Sequence, residues 1–232
     1  MPSLRSSLLT RPARSLASTL AALAIAPSAM ATGIGYDAIT SMVPPVTVTQ
    51  PTATWIGEDV SLAPGASLNV NSIQIRTWMS ASATQATIDG FLRIRIYASQ
   101  VVFPASVRPG EILWQADVSA TWARGQALDV TAAIDGLNLP SPSVWIGWSF
   151  MNLNGNVMLT SVSGISVMQN TAGPVVGQTA AGYATSSSGI SWTLQNPGAV
   201  APYALRVNVL PSPGALALLG GAGMLAASRR RR

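Results

Sequence analysis

The chain has 232 residues, with 13 basic side chains, all arginine, against eight acids, and it contains no lysine, histidine or cysteine. Those absences exclude disulfides and thiolate zinc sites, a Ser-His-Asp triad or imidazole metal ligand, and a Schiff-base or P-loop lysine. The formal charge of +5 sits at the ends, because Arg5, Arg11, Arg14 and Arg229, Arg230, Arg231 and Arg232 account for more than half of the arginines, whereas residues 32–210 hold six arginines and all eight acids. A body with a net charge of −2 has no electrostatic reason to bind a polyanion, so no nucleic-acid partner is expected.

In chain order, residues 1–15 carry three arginines and no acid, and residues 16–26 (LASTLAALAIA) form an apolar run. Pro27 and Ser28 break that run, and Ala29 and Ala31 place small residues where a signal peptidase reads. Residues 1–31 are therefore expected to be a signal peptide, forming an N-terminal signal helix cleaved after Ala31. The apolar run is too short for a permanent span, which needs about 20 residues.

Residues 32–209 read as one β domain. Val46-Thr47-Val48-Thr49 alternates apolar and polar side chains, as do 72–78, 91–97 and 144–150, and further short runs lie at 112–118, 127–133, 157–160, 165–168, 190–194 and 203–209. Gly, Pro, Ser, Thr and Asn punctuate the gaps, and no internal stretch keeps a 3.6-residue period. The expected fold is all-β: an antiparallel β-sandwich or jelly roll, flanked by the N-terminal signal helix and a C-terminal hydrophobic helix.

Alternation also assigns faces. In 91–97, Leu92, Ile94 and Ile96 are expected inside, with Phe91, Arg93, Arg95 and Tyr97 outside. Ile73 and Ile75 are expected inside on the preceding strand, with Arg76 and Trp78 outside. A hairpin joining the two strands would gather Arg76, Trp78, Arg93, Arg95 and Tyr97 on one surface. Guanidinium and aromatic planes there suit sugars or carboxylated glycans, but such a set is more often a sheet surface satisfied by its own neighbours. Trp148 shares a face with Ile146 and Phe150 and is expected in the core; Trp145, on the opposite face, is a candidate for exposure. The eight carboxylates are scattered, and only Glu58 and Asp59 are adjacent, pointing to opposite faces of a strand. No catalytic residues and no metal-ligating residues are assigned, and no cofactor is expected beyond a structural Ca²⁺ held by Asp and backbone carbonyls.

The chain ends in LPSPGALALLGGAGMLAASRRRR over residues 210–232: a Pro-rich break at Leu210, Pro211, Ser212 and Pro213, an uncharged stretch over 214–228, and the four terminal arginines. A helix over 214–228 would span about 22 Å at 1.5 Å per residue, a marginal transmembrane helix, with Arg229 to Arg232 held on the cytoplasmic side as a basic stop. The segment also looks like the L-P-x-T-G signal of sortases, but Pro213 stands where Thr is cut and presents a poor acyl-transfer site.

This three-part end resembles the PEP-CTERM sorting signal, with Pro211 and Pro213 matching in place and Leu210 and Ser212 departing from the commonest Val and Glu. The resemblance implies recognition by an exosortase, processing near Pro213, transient membrane insertion of the precursor, and delivery to the outer surface or extracellular matrix of a Gram-negative-type cell. A second resemblance lies in the body. Residues 55–65 (WIGEDVSLAPG), 93–97 (RIRIY), 109–114 (PGEILW) and 144–147 (VWIG) follow in the order of pieces in jelly-roll domains found among PEP-CTERM proteins. The resulting expectation is a non-enzymatic exported protein with a structural or adhesive role, its partners in maturation a signal peptidase and an exosortase. The alternative is a carbohydrate-binding module that holds polysaccharide on the Arg/aromatic face. A glycosidase is the third reading, which requires two carboxylates about 5–9.5 Å apart.

Overall fold

Period-two alternation of Val, Ile, Leu and aromatic residues with Ser, Thr, Arg and Asp gives each strand one apolar and one polar face. A computed structural model of the protein describes residues 33–40, 54–102, 106–158, 160–179, 183–195 and 202–211. Its strands are β1 (Gly33–Asp37), β2 (Trp55–Ser61), β3 (Asn69–Met79), β4 (Thr87–Val102), β5 (Ser106–Ala123), β6 (Ala127–Asn138), β7 (Ser143–Asn152), β8 (Ile165–Val167), β9 (Tyr183–Ser186), β10 (Thr193–Leu194) and β11 (Leu205–Val209). One four-residue helix, α1 (Thr160–Ser163), precedes β8.

The strands form two antiparallel sheets, an arrangement consistent with a β-sandwich. The first runs β1-β11-β3-β6, with β8 paired to the end of β3 beyond the reach of β11. The second runs β10-β9-β2-β7-β4-β5. One apolar layer takes side chains from both: Val70, Ile73 and Ile75 of β3 and Leu205 and Val207 of β11 from the first sheet, and Leu92, Ile94 and Ile96 of β4 and Ile146, Trp148 and Phe150 of β7 from the second. Each such Leu, Ile or Phe contributes about 1.5–3 kcal/mol by leaving water. Trp122, near the end of β5, closes one side. Its ring meets Phe150 edge-on with centroids 5.6 Å apart, and its indole N–H donates to the Thr77 hydroxyl on β3 at 2.9 Å.

The alternation in 91–97 assigns the inner side chains correctly, since Leu92, Ile94 and Ile96 are buried in the shared core. The expected hairpin between β3 and β4 does not form. Both edges of β3 are taken, one by β6 and the other by β11 and β8, while β4 lies between β5 and β7. Residues 80–86 therefore carry the chain from one sheet to the other. Two of the short runs are not strands throughout: Val157 makes only an isolated bridge to Met151, and β10 is confined to Thr193–Leu194. The run at 46–49 lies outside the described residues.

The expectation of a signal peptide, a transmembrane helix and a membrane-inserted precursor exported to an outer surface is corrected. The described chain is β throughout apart from α1, and no helix in it is long and apolar enough to cross a membrane. Within the described residues the apolar side chains recur with period two, which puts them on sheet faces rather than along one side of a helix. The apolar runs at 16–26 and 214–228, Ala29 and Ala31, Ser212 and Pro213, and the four terminal arginines lie outside the described residues. Leu210 and Pro211 are described, and the Leu210 amide donates to the Asn69 carbonyl at 2.8 Å, directly after β11.

Candidate functional site

The outer face of the second sheet combines aromatic rings with a row of polar side chains. Cross-strand register sets the row: Asp89 faces Thr121, Phe91 faces Ser119, Arg93 faces Asp117 and Arg95 faces Gln115, with β4 residues first and β5 residues second. Successive members stand about 7 Å apart, twice the rise of a strand residue. Every pair but Phe91–Ser119 is hydrogen-bonded across the strands. Arg93 is bidentate to Asp117 at 2.6 and 2.7 Å, Arg95 Nε donates to Gln115 at 2.6 Å, and the Thr121 hydroxyl donates to Asp89 at 2.6 Å. Phe91 is half-buried, opposite an exposed Ser119 on β5 and the buried Met151 on β7. A groove of about 350 Å³ opens at this end of the face, lined by Asp89, Gly90, Ser119, Ala120, Thr121 and Leu153.

The other half of the face is covered. Trp55 (β2), Tyr97 (β4), Trp145 (β7), Ala184 (β9) and Trp192 form a second apolar cluster, separate from the core between the sheets. Gly57 and Gly147 pair directly across β2 and β7. Their missing side chains leave the floor on which the Trp192 indole rests, because a Cβ at Gly57 would lie 3.1 Å from that ring and one at Gly147 would lie 3.2 Å from it. Tyr97 meets Trp192 edge-on at 5.2 Å. The loop after β9 is pinned over these rings. The Gly189 carbonyl accepts from the Tyr97 hydroxyl at 2.9 Å and from Arg95 Nη1 at 3.2 Å, and the Arg95 guanidinium lies 4.1 Å from the centre of the Trp55 ring. Gly189 has φ 72°, a conformation that L side chains rarely adopt. Burial pushes the Tyr97 phenol above its ordinary pKa, opposed by the nearby Arg95.

Among the five sequence-predicted residues, Arg93, Arg95 and Tyr97 lie on this face, while Arg76 and Trp78 belong to β3 in the first sheet. Their single surface is therefore divided between two sheets. Arg76 is bidentate to Asp129 on β6 at 2.6 and 2.7 Å, which holds its guanidinium above its ordinary pKa. Arg93 is held up likewise by Asp117, whose carboxyl it lowers in return. Trp148 is in the core as expected, whereas Trp145 is buried under the loop rather than exposed. Asp89, Phe91, Asp117, Ser119 and Thr121 were missed as a group. Their signal was the i, i+2 alternation of Gln115, Asp117, Ser119 and Thr121, which marks one exposed face of β5.

The remaining carboxylates do not assemble into a centre of this kind. Glu58 points into the core, where Oε2 accepts the Tyr203 amide at 2.9 Å, and burial together with the charge of Asp59 pushes its carboxyl well above the ordinary range. Asp59 is also buried and accepts from the Ser143 hydroxyl at 3.2 Å. Among the described residues no group of three or more acids converges in a way that could hold a metal ion such as Ca²⁺. No protein-family model, curated protein or solved structure matches the chain.

Proposed function

We propose that the domain is a jelly roll that binds carbohydrate on the outer face of its second sheet. Strand order supports the fold reading. With β8, β9 and β10 set aside, the sheets run first-last-third-sixth and second-seventh-fourth-fifth, so most consecutive strands alternate between sheets. That alternation is characteristic of the eight-stranded jelly roll, an architecture that includes lectin domains. Fold-level analogy alone does not assign an activity, so the face must carry the argument.

The observation that carries the function is Phe91: a partly exposed ring set in a row of hydrogen-bonding side chains on a sheet face. An aromatic plane offers the apolar C–H face of a sugar ring a contact surface, while orienting polar groups around it take the hydroxyls. The Trp55–Tyr97–Trp145–Trp192 cluster supports the rest of the face from beneath its loop and keeps Arg95 in place.

A glycan array probed with the full chain tests the reading. Binding to a polysaccharide is expected, with a loss of about tenfold or more in Phe91→Ala, since aromatic anchors dominate small binding surfaces. Ser119→Arg, at an exposed position opposite the ring, should weaken binding without lowering the melting temperature. Silence of the parent protein across neutral and acidic polysaccharides would refute the assignment.

A further inference from the structure

We infer that the ligand of this face is a neutral glycan, with Asp89 and Asp117 accepting its hydroxyl protons; the inference rests on the carbohydrate-binding reading and names its substrate class. Arginines on a protein surface ordinarily point to an anionic partner, and Arg93 and Arg95 invite that reading. Their geometry argues otherwise. Arg93 spends Nε and Nη2 on both oxygens of Asp117, so its charge is already matched. Arg95 is turned away from the groove, toward Gln115, the Gly189 carbonyl and the Trp55 ring.

The open half of the row therefore presents two carboxylates and one guanidinium. Asp89 has no arginine across from it; its cross-strand partner is Thr121, whose hydroxyl uses one acceptor site on Oδ1. A carboxylate offers about four lone-pair sites, which leaves most of Asp89 facing the groove formed with Ser119, Thr121 and Leu153. A uronate or sulfate placed there would meet the Asp89 carboxylate, while Arg93 is matched to Asp117, Arg95 is turned toward the covering loop, and Arg124, beyond the end of β5, gives Nη1 to the Ala83 carbonyl. A neutral sugar avoids that repulsion. Its hydroxyls donate to Asp89 and Asp117, accept from the Ser119 hydroxyl and from the guanidinium N–H groups of Arg93 that Asp117 leaves over, and its ring lies against Phe91 and Leu153.

The test compares two oligosaccharides of equal length, a neutral β-glucan and a polyuronate, titrated calorimetrically into the full chain at low and high salt. Tighter binding of the β-glucan, by about tenfold and insensitive to salt, is expected, because an uncharged ligand gives screening nothing to act on. Asp89→Asn should weaken β-glucan binding several-fold while leaving the melting temperature unchanged, as Asp89 is exposed. Should that substitution strengthen polyuronate binding, the same repulsion would be seen from the other side. Preferential, salt-sensitive binding of the polyuronate by the parent protein would overturn the neutral class while leaving carbohydrate binding intact. Binding of neither oligosaccharide, together with silence on the array, would overturn both.

Discussion

Gly147 shows how one side chain, or its absence, decides what a sheet face can hold. A methyl group there would sit 2.8 Å from the Tyr97 ring and 3.2 Å from Trp192, and both rings are buried. Neither can step aside into solvent, so Gly147→Ala is expected to cost about 1–3 kcal/mol as overpacking. Gly33→Ala is the matching control, because its nearest neighbour would be at an ordinary 3.5 Å; thermal melts of the two variants should separate clearly. The same glycines explain what could be read in advance at this scale. Alternation assigns Leu92, Ile94 and Ile96 to the core, and it correctly puts Trp145 on the opposite face from Trp148. It carries no information about a loop, distant in sequence, that covers that face. Glycines inside two strands, Gly57 and Gly147, are the available sign that something approaches closely there.

At the scale of elements, sequence locates strands better than it pairs them. β3, β4 and β7 stand where period-two runs lie, but whether β3 and β4 share a sheet depends on which edges β6, β11 and β8 already occupy, a long-range matter with no local pattern. β9 and the loop after it were illegible for a related reason: Ser186, Ser187, Ser188 and Gly189 read as a solvated turn, and only the tertiary fold reveals that they hold Trp192 against the second sheet. That attachment has a weak point. The indole N–H groups of Trp145 and Trp192 are buried with no hydrogen-bond partner in the described structure, and an unmet buried donor costs about 1–3 kcal/mol. The covering loop is therefore held mainly by ring packing, the Gly189 carbonyl and the Thr54 hydroxyl, whose single proton is shared between the carbonyls of Ser186 and Ser187 at 2.9 and 2.8 Å. Trp192→Ala is expected to release it. Amide hydrogen exchange should rise across residues 183–195 while β3, β6 and β11 stay protected, because local opening is cheaper than global unfolding. Equal loss of protection in both sheets would show instead that the loop and the core unfold as one unit.

For the whole molecule, buried acids pull stability in opposite directions as pH changes. Asp37 is inaccessible, and hydrogen bonds from Thr40, from the Ile39 amide and from Arg206 outweigh its desolvation and lower its pKa below the ordinary 3.8. The exposed Asp117 is lowered by Arg93 as well, with its contribution reduced by solvent screening. Their contributions are present above the unfolded-state pKa and vanish as pH falls through the folded one, so both weaken the fold below about pH 4. Glu58 has the reverse sign. It sits in the core beside Tyr203 and Tyr36 with its pKa raised well above the ordinary 4.5, chiefly by desolvation, so the stability linked to its protonated form is full below that value and lost as pH rises. Tyr36 and Tyr203, whose phenols are also pushed up by burial, add a further loss only above pH 10. The melting temperature should accordingly peak in mildly acidic solution rather than at neutrality. Glu58→Gln isolates the cause, because the amide has nearly the same shape and never ionises. Near pH 4 the variant and the parent should melt within a few degrees of each other, and as pH rises above about 5 the variant should gain on the parent, as linkage requires for a raised carboxyl pKa. A difference that stays constant across that range would mean that Glu58 titrates alike in the folded and unfolded chain, and the buried carboxyl would then have no part in the pH response of the domain.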